Sequence, residues 1–249
     1  MLDVYVVDRR QYDACYLKRQ DQVLPDEELL LLTRLRDERS RILATGDRMA
    51  LRILLSMNIF ASPKRLSIQR EAAGKPYLEG AQLHFNISHS ENLLAIALSS
   101  APVGVDVEKI DPSREVLEIA RTAFSEDEIG WLESMSLMHR ARKFTELWSL
   151  KEAHLKRLGV GIAGGLTRLK RVRSGQRFIL ESSDAPANYL STVYGKYSLA
   201  LSTTCSQLPR LYRLILTTER EIPAAIQIPL SQPWCDHDIR YDRYAKGAL

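Results

Sequence analysis

Gly104-Val105-Asp106-Val107-Glu108 alternates apolar with acidic side chains. In an extended strand successive side chains leave opposite faces. Val105 and Val107 therefore face one way, and Asp106 and Glu108 share the other. Two carboxylates on one face repel each other unless a positive charge lies between them. Two readings stand. One is a hard divalent cation such as Mg²⁺, which takes oxygen ligands. The other is an exposed edge strand with a solvated acidic face.

Upstream, Leu83-His84-Phe85-Asn86-Ile87-Ser88-His89-Ser90 places Leu83, Phe85 and Ile87 in strand alternation. It then turns polar, which predicts a strand ending in a loop that carries Ser88 and His89. His89 is readable either as a structural or as a functional histidine. Ala73-Gly74-Lys75-Pro76-Tyr77 is a turn with a lysine at its apex. Leu24 to Phe60 is helical in period, with Leu29, Leu32, Leu35 and Ile42 recurring. Thr45-Gly46-Asp47 predicts a break there, with Asp47 capping a second helix over Arg48 to Ile59. Arg48 and Arg52 share a face of that helix, readable as a solvated one.

Downstream, Ser125 with Glu128 three residues later is a capping box that opens a helix. Arg140 to Leu158 carries the strongest helical pattern. Trp148, Glu152 and Lys156, four apart, form one stripe of it. The plain reading of Glu152 and Lys156 is a surface ion pair; the tryptophan on the same stripe argues for a half-buried face. Gly159, Gly161, Gly164 and Gly165 follow this helix. They do not open one, so the spacing is not a dinucleotide fingerprint. Strands are expected over 169–172, 177–180, 189–194, 197–202 and 210–217.

The 249 residues suffice for one large domain or two small ones. An apolar fraction of 45% and a charged fraction of 27% belong to an ordinary globular chain. No apolar run is long enough to span a membrane. The opening residues read as a strand and lack a signal peptide's layout. Cys15, Cys205 and Cys235 are scattered with no C-x-x-C pair, which argues against a disulfide framework and for a cytoplasmic protein. The net charge of +4 is compatible with phosphate-rich partners without requiring them.

Ile96-Ala97-Leu98-Ser99 recurs as Leu199-Ala200-Leu201-Ser202, and the same offset lays helix 48–59 on helix 151–158. This self-similarity predicts two similar α/β halves joined near Ala101-Pro102. They are 1–101, and 102–249 with an extended C-terminal segment from about 206. A ligand cleft is expected where the halves meet.

In order, Gly74-Lys75-Pro76, Phe85-Asn86-Ile87-Ser88-His89-Ser90, Gly104-Val105-Asp106-Val107-Glu108-Lys109, Phe124-Ser125 with Glu128, and Trp148-Ser149-Leu150-Lys151-Glu152-Ala153 with Lys156 resemble the Sfp-type 4′-phosphopantetheinyl transferases. The resemblance runs from about Arg48 to Ser202. It implies a monomeric α/β (α+β) fold of two halves related by a pseudo-two-fold, with substrate at their interface. It also implies Mg²⁺-dependent transfer of the phosphopantetheine arm of coenzyme A to a serine of an apo acyl or peptidyl carrier protein, releasing adenosine 3′,5′-bisphosphate. By the same resemblance, Asp106, Glu108 and Glu152 match the metal ligands. Lys75, Pro76, Ser88, His89 and Arg48 match coenzyme A contacts, with His89 and Arg48 near the 3′-phosphate. Glu152 and Lys156 match the catalytic base and the group stabilising the leaving phosphate. The lysines that some relatives use near that phosphate are not evident, and Arg34, Arg36, Arg39 or Arg41 could substitute.

Two rivals use the same residues differently. A metal-dependent phosphohydrolase would employ the carboxylates with water as nucleophile. A nucleic-acid binder would use Lys151, Lys156, Arg157, Arg168, Lys170, Arg171 and Arg173; it lacks a reader motif and interleaved aromatics, so neither nucleic acid nor a membrane is expected as a partner.

Overall fold

The computed structural model describes residues 1–161, 165–174, 177–184, 186–216, 224–227, 235–236 and 239–241. Strand β1 (Leu2–Asp8) opens the chain. Short helices α1 (Ala14–Leu17), α2 (Gln20–Val23) and α3 (Asp26–Thr33) lead to the 22-residue helix α4 (Glu38–Ile59). A 3₁₀ turn at Pro63–Arg65 precedes two hairpins, β2 (Ile68–Arg70) with β3 (Pro76–Leu78), and β4 (His84–Ser90) with β5 (Leu93–Ser99).

The order then repeats. Strand β6 (Val103–Lys109) is followed by helices α5 (Val116–Ala123) and α6 (Glu126–Glu133) and a second 22-residue helix, α7 (Leu137–Leu158). A 3₁₀ turn at Leu166–Arg168 again precedes two hairpins, β7 (Leu169–Ser174) with β8 (Arg177–Ser182), and β9 (Asn188–Tyr194) with β10 (Tyr197–Thr203). Within their sheets β1-β5-β4 and β6-β10-β9 have the same order, so the fold is mixed α+β built from two similar arrangements.

The segment after β10 does not stay with the second arrangement. Strand β11 (Arg210–Ile215) pairs in parallel with β1, and β12 (Ala224–Gln227) extends that sheet. Strand β13 (Cys235–Asp236) adds to β9, and β14 (Ile239–Tyr241) to β8. Thr217, Gly164 and most of the tail lie outside the described residues. Among the described residues, no helix is long and apolar enough to cross a membrane.

The repeat is real in topology, but the letter match is one residue out of register. Pairing sets Ala97 opposite Val4 and Leu201 opposite Val105, which makes Ala97 the counterpart of Leu201 rather than of Ala200. A one-residue slip moves a side chain to the other face of a sheet. Ile96 packs under α4, whereas Leu199, its match by letters, packs between the sheets. Helices cover one side of each sheet, and the other sides share a core containing Val4, Ala97, Val105 and Leu201.

The expected break at Thr45-Gly46-Asp47 is absent. Helix α4 starts at Asp37, whose carboxylate accepts the Ser40 N–H at 2.6 Å. It runs unbroken to Phe60, which caps it with a left-handed backbone (φ 54°). Gly46 serves packing instead: a Cβ there would sit 2.3 Å from the Tyr12 ring. Asp47 is likewise no cap. Its oxygens accept from Arg9 Nε and Nη2 at 3.1 and 2.8 Å and from the Tyr12 hydroxyl at 2.9 Å. A buried carboxylate bonded this fully holds a helix interior without disrupting it.

Candidate active site

Strands β4 and β6 run side by side where the two sheets meet, and side chains replace the missing backbone ladder. Asn86 Oδ1 accepts the Val105 N–H at 2.9 Å, Ser88 Oγ the Val107 N–H at 3.3 Å, and Ser90 Oγ the Lys109 N–H at 3.1 Å. These three residues sit two apart, which is why the sequence turns polar there without leaving the strand. Ser88 and His89 therefore belong to β4 itself. The turn that follows is Glu91-Asn92, with Glu91 left-handed (φ 48°).

Helix α7 lies directly on β6. A Cβ on Gly104 would come within 2.0 Å of the Ala153 carbonyl oxygen and 2.4 Å of the Arg157 nitrogen. This approach places Glu152 and Lys156 over Asp106. Lys156 Nζ donates to Asp106 Oδ1 at 2.6 Å and to Ser88 Oγ at 2.8 Å, and the Ser88 hydroxyl donates to the same Oδ1 at 2.8 Å. Asp106 is 2% exposed, so β6 does not carry a solvated acidic face. Nor is Lys156 a simple surface partner of Glu152, because its ion pair is with Asp106.

Asp106 Oδ2 is buried with no hydrogen-bond partner among the described residues. Burial pushes the Glu108 carboxyl up, and the Asp106 charge pushes it further. Glu152 is raised by burial and then by Asp106 as well. Both therefore feel the Asp106 charge. Among the described residues, no three His, Cys, Asp or Glu side chains are gathered tightly enough to hold a metal ion. The donor chemistry nevertheless fits a hard divalent cation: a buried carboxylate oxygen without a hydrogen bond among the described residues, beside two acids that burial and the Asp106 charge push up.

A cleft of about 320 Å³, lined by residues of the first arrangement, includes Glu28, Arg48, Arg52, Arg70, Pro76 and His89 in its lining. His89 stands on the other face of β4 from Ser88. Burial holds its imidazole below the ordinary histidine range, with the Arg9 charge adding to that. Arg48 is partly exposed, 3.8 Å from Glu28. Arg52 is not on a solvated face. It is 3% exposed, bonded to Glu28 Oε1 and to the Pro63 and Leu66 carbonyls. Lys75 is not aimed at the cleft: its ammonium donates to the Arg157 carbonyl at 2.7 Å and the Val103 carbonyl at 3.3 Å. It ties the β2–β3 turn to the end of α7.

Sequence reading missed Glu28 because nothing local marks a residue that meets Arg48 and Arg52 only in the fold. The Ser125 and Glu128 capping box is present, and Glu128 does more. Fully buried, it pairs with the equally buried Lys151 at 3.0 Å and accepts the Arg171 N–H at 2.7 Å. Lys151 and Arg157 are both buried and Arg168 is paired with Asp184, so the basic run is not one open cationic surface.

Comparison with known proteins bears on the family resemblance. The model described as the 4'-phosphopantetheinyl transferase superfamily (ACPS) matches residues 102–202, from just before β6 nearly to the end of β10. The match takes in less than half of the chain. The chain is 36% identical over 99 residues to the 4'-phosphopantetheinyl transferase gsp of Aneurinibacillus migulanus, covering 40% of each. It is 38% identical over 91 residues to the 4'-phosphopantetheinyl transferase Sfp of Bacillus subtilis (strain 168), covering 36% of this chain and 40% of that one. The alignments thus span less than half of these relatives' length, and they bear out the resemblance to the Sfp type. The crystal structure of Thermotoga maritima holo-[acyl-carrier-protein] synthase overlaps 46% of this chain and 67% of its own, at 21% identity and a TM-score of 0.34.

Proposed function

We propose that the protein transfers the 4′-phosphopantetheine arm of coenzyme A to a serine of an apo acyl or peptidyl carrier protein, releasing adenosine 3′,5′-bisphosphate. The observation that carries this reading is the buried Asp106 Oδ2, without a hydrogen bond among the described residues, within a carboxylate and lysine cluster, in a chain that also has a cleft bearing Arg48 and His89. In this reading residues 1–101 and 102–249 form the two halves, with β11 crossing back to the first, and substrate binds where they meet. The protein acts as a cytoplasmic monomer.

Asp106, Glu108 and Glu152 would hold Mg²⁺, which when bound neutralises pyrophosphate oxygens as a Lewis acid. The chain's own residues do the rest. The cleft receives the nucleotide end, with His89 and Arg48 reading the 3′-phosphate through charge-assisted hydrogen bonds. Glu152 takes the proton from the carrier serine. Lys156 offers its ammonium to the departing phosphate. Such transfers rest mainly on positioning and charge stabilisation.

Mass spectrometry of an apo carrier incubated with the protein, coenzyme A and Mg²⁺ tests the reading. The expected result is a carrier heavier by one phosphopantetheine. Release of pantetheine phosphate with an unmodified carrier would instead make the protein a hydrolase.

A further inference from the structure

Lys156 and a divalent cation have claims on the same carboxylate. In the free protein the ammonium occupies Asp106 Oδ1, and Ser88 donates to that same oxygen. Asp106 is fixed: 2% exposed, on a strand whose neighbouring N–H groups are capped by β4 side chains. Lys156 is not fixed. Its side chain is 28% exposed, has a flexible four-carbon stem, and leaves the last turn of α7 three residues before the Gly159 cap. The lysine is thus a movable charge on the very carboxylate that a cation would need.

We infer that Lys156 is a resident counter-ion of the carboxylate cluster, so that the divalent cation and coenzyme A bind cooperatively. This rests on the proposed transferase reading. An ammonium and a divalent ion on one carboxylate repel, so the free protein binds the cation weakly. The pyrophosphate of coenzyme A offers Lys156 a stronger anionic partner. Once the lysine swings to it, Asp106 is released and the cation is no longer opposed. Because coupling is reciprocal, the cation must strengthen coenzyme A binding by the same factor. Ser88, bonded to both Lys156 and Asp106, stays as the pivot.

The test is Mn²⁺ binding followed by electron paramagnetic resonance, on wild type and on Lys156→Gln, each with and without coenzyme A. Without coenzyme A, Lys156→Gln should bind Mn²⁺ at least about tenfold more tightly, the low end of coupling between close charges. With coenzyme A the gap between the two proteins should narrow, so coenzyme A raises Mn²⁺ affinity less in the variant than in wild type. Lys156→Met repeats the measurement should the glutamine variant melt early. Unchanged or weaker Mn²⁺ binding by the free lysine variants overturns the inference. Asp106→Asn in the same titration keeps the two claims apart. If it abolishes Mn²⁺ binding while Lys156→Gln changes nothing, only the counter-ion idea fails. If Mn²⁺ binds equally well without Asp106, the proposed metal site itself fails.

Discussion

Gly104 shows how much one absent side chain can decide. Its sequence context marks it only as the first letter of an alternating strand. The structure gives the reason no larger residue stands there: the α7 backbone passes 2.0 Å from where its Cβ would be. Gly104→Ala must push α7 off β6, at a cost of about 1–3 kcal/mol for overpacking. Because α7 carries Glu152 and Lys156, transfer should fall much further than urea-measured stability does. Parallel losses in both would mean the close approach serves folding alone. His89 makes a second residue-scale case. Burial holds its imidazole below the usual histidine range, so it is neutral near pH 7 in the free protein. If it reads a phosphate it must take up a proton on binding. Coenzyme A affinity should therefore rise as pH falls from 8 towards 6, while dephospho-coenzyme A shows a flatter profile. His89→Ala should lose roughly ten- to hundredfold in coenzyme A affinity, the worth of a charge-assisted hydrogen bond. Calorimetry showing equal losses for both ligands would remove His89 from that role.

At the scale of elements, periodicity served the reading well and breaker residues misled it. The helical pattern over 140–158 became α7, and the strand alternations became β4, β6, β9 and β10. Glycine costs helix stability, so Thr45-Gly46-Asp47 predicts a break. Here the close packing of Tyr12 requires the glycine, and a packing requirement between distant segments leaves no local trace. The Glu128–Lys151 pair is similar: the capping box was legible, the partner 23 residues on was not. The pair joins the start of α6 to the middle of α7, and Lys151 also donates to the Leu166 and Leu169 carbonyls. Glu128→Gln leaves a buried ammonium without its counter-charge and should cost about 3–5 kcal/mol. Replacing both, as Glu128→Gln with Lys151→Met, removes the charge and should recover part of that loss. Chemical denaturation of these two variants and of Lys151→Met alone measures the coupling. Additive losses would show that the two residues act separately.

For the whole molecule, the doubled architecture was visible in a four-residue echo, but its register was not. Register is set by which face each strand buries, and Ile96 and Leu199 look alike while facing different cores. The site itself was largely legible as residue types, because carboxylates, lysine and histidine at a sheet seam have few structural uses. What holds the seam was not legible. Backbone pairing does not join β4 to β6; Asn86, Ser88 and Ser90 cap the β6 N–H groups instead. This makes the junction of the two arrangements depend on three side chains rather than on a ladder. Asn86 lies farthest from the carboxylates and is 4% exposed, so it separates seam from chemistry. Asn86→Ala leaves the buried Val105 N–H without an acceptor and should cost about 1–3 kcal/mol. The loss should be local before it is global. Hydrogen exchange should show the Val105 amide losing protection ahead of the β1–β5 ladder amides, and coenzyme A binding should weaken although no ligand-reading residue has changed. If Val105 keeps its protection and coenzyme A binds normally, the seam is held by apolar packing between the sheets, and its polar side chains are there for the site alone.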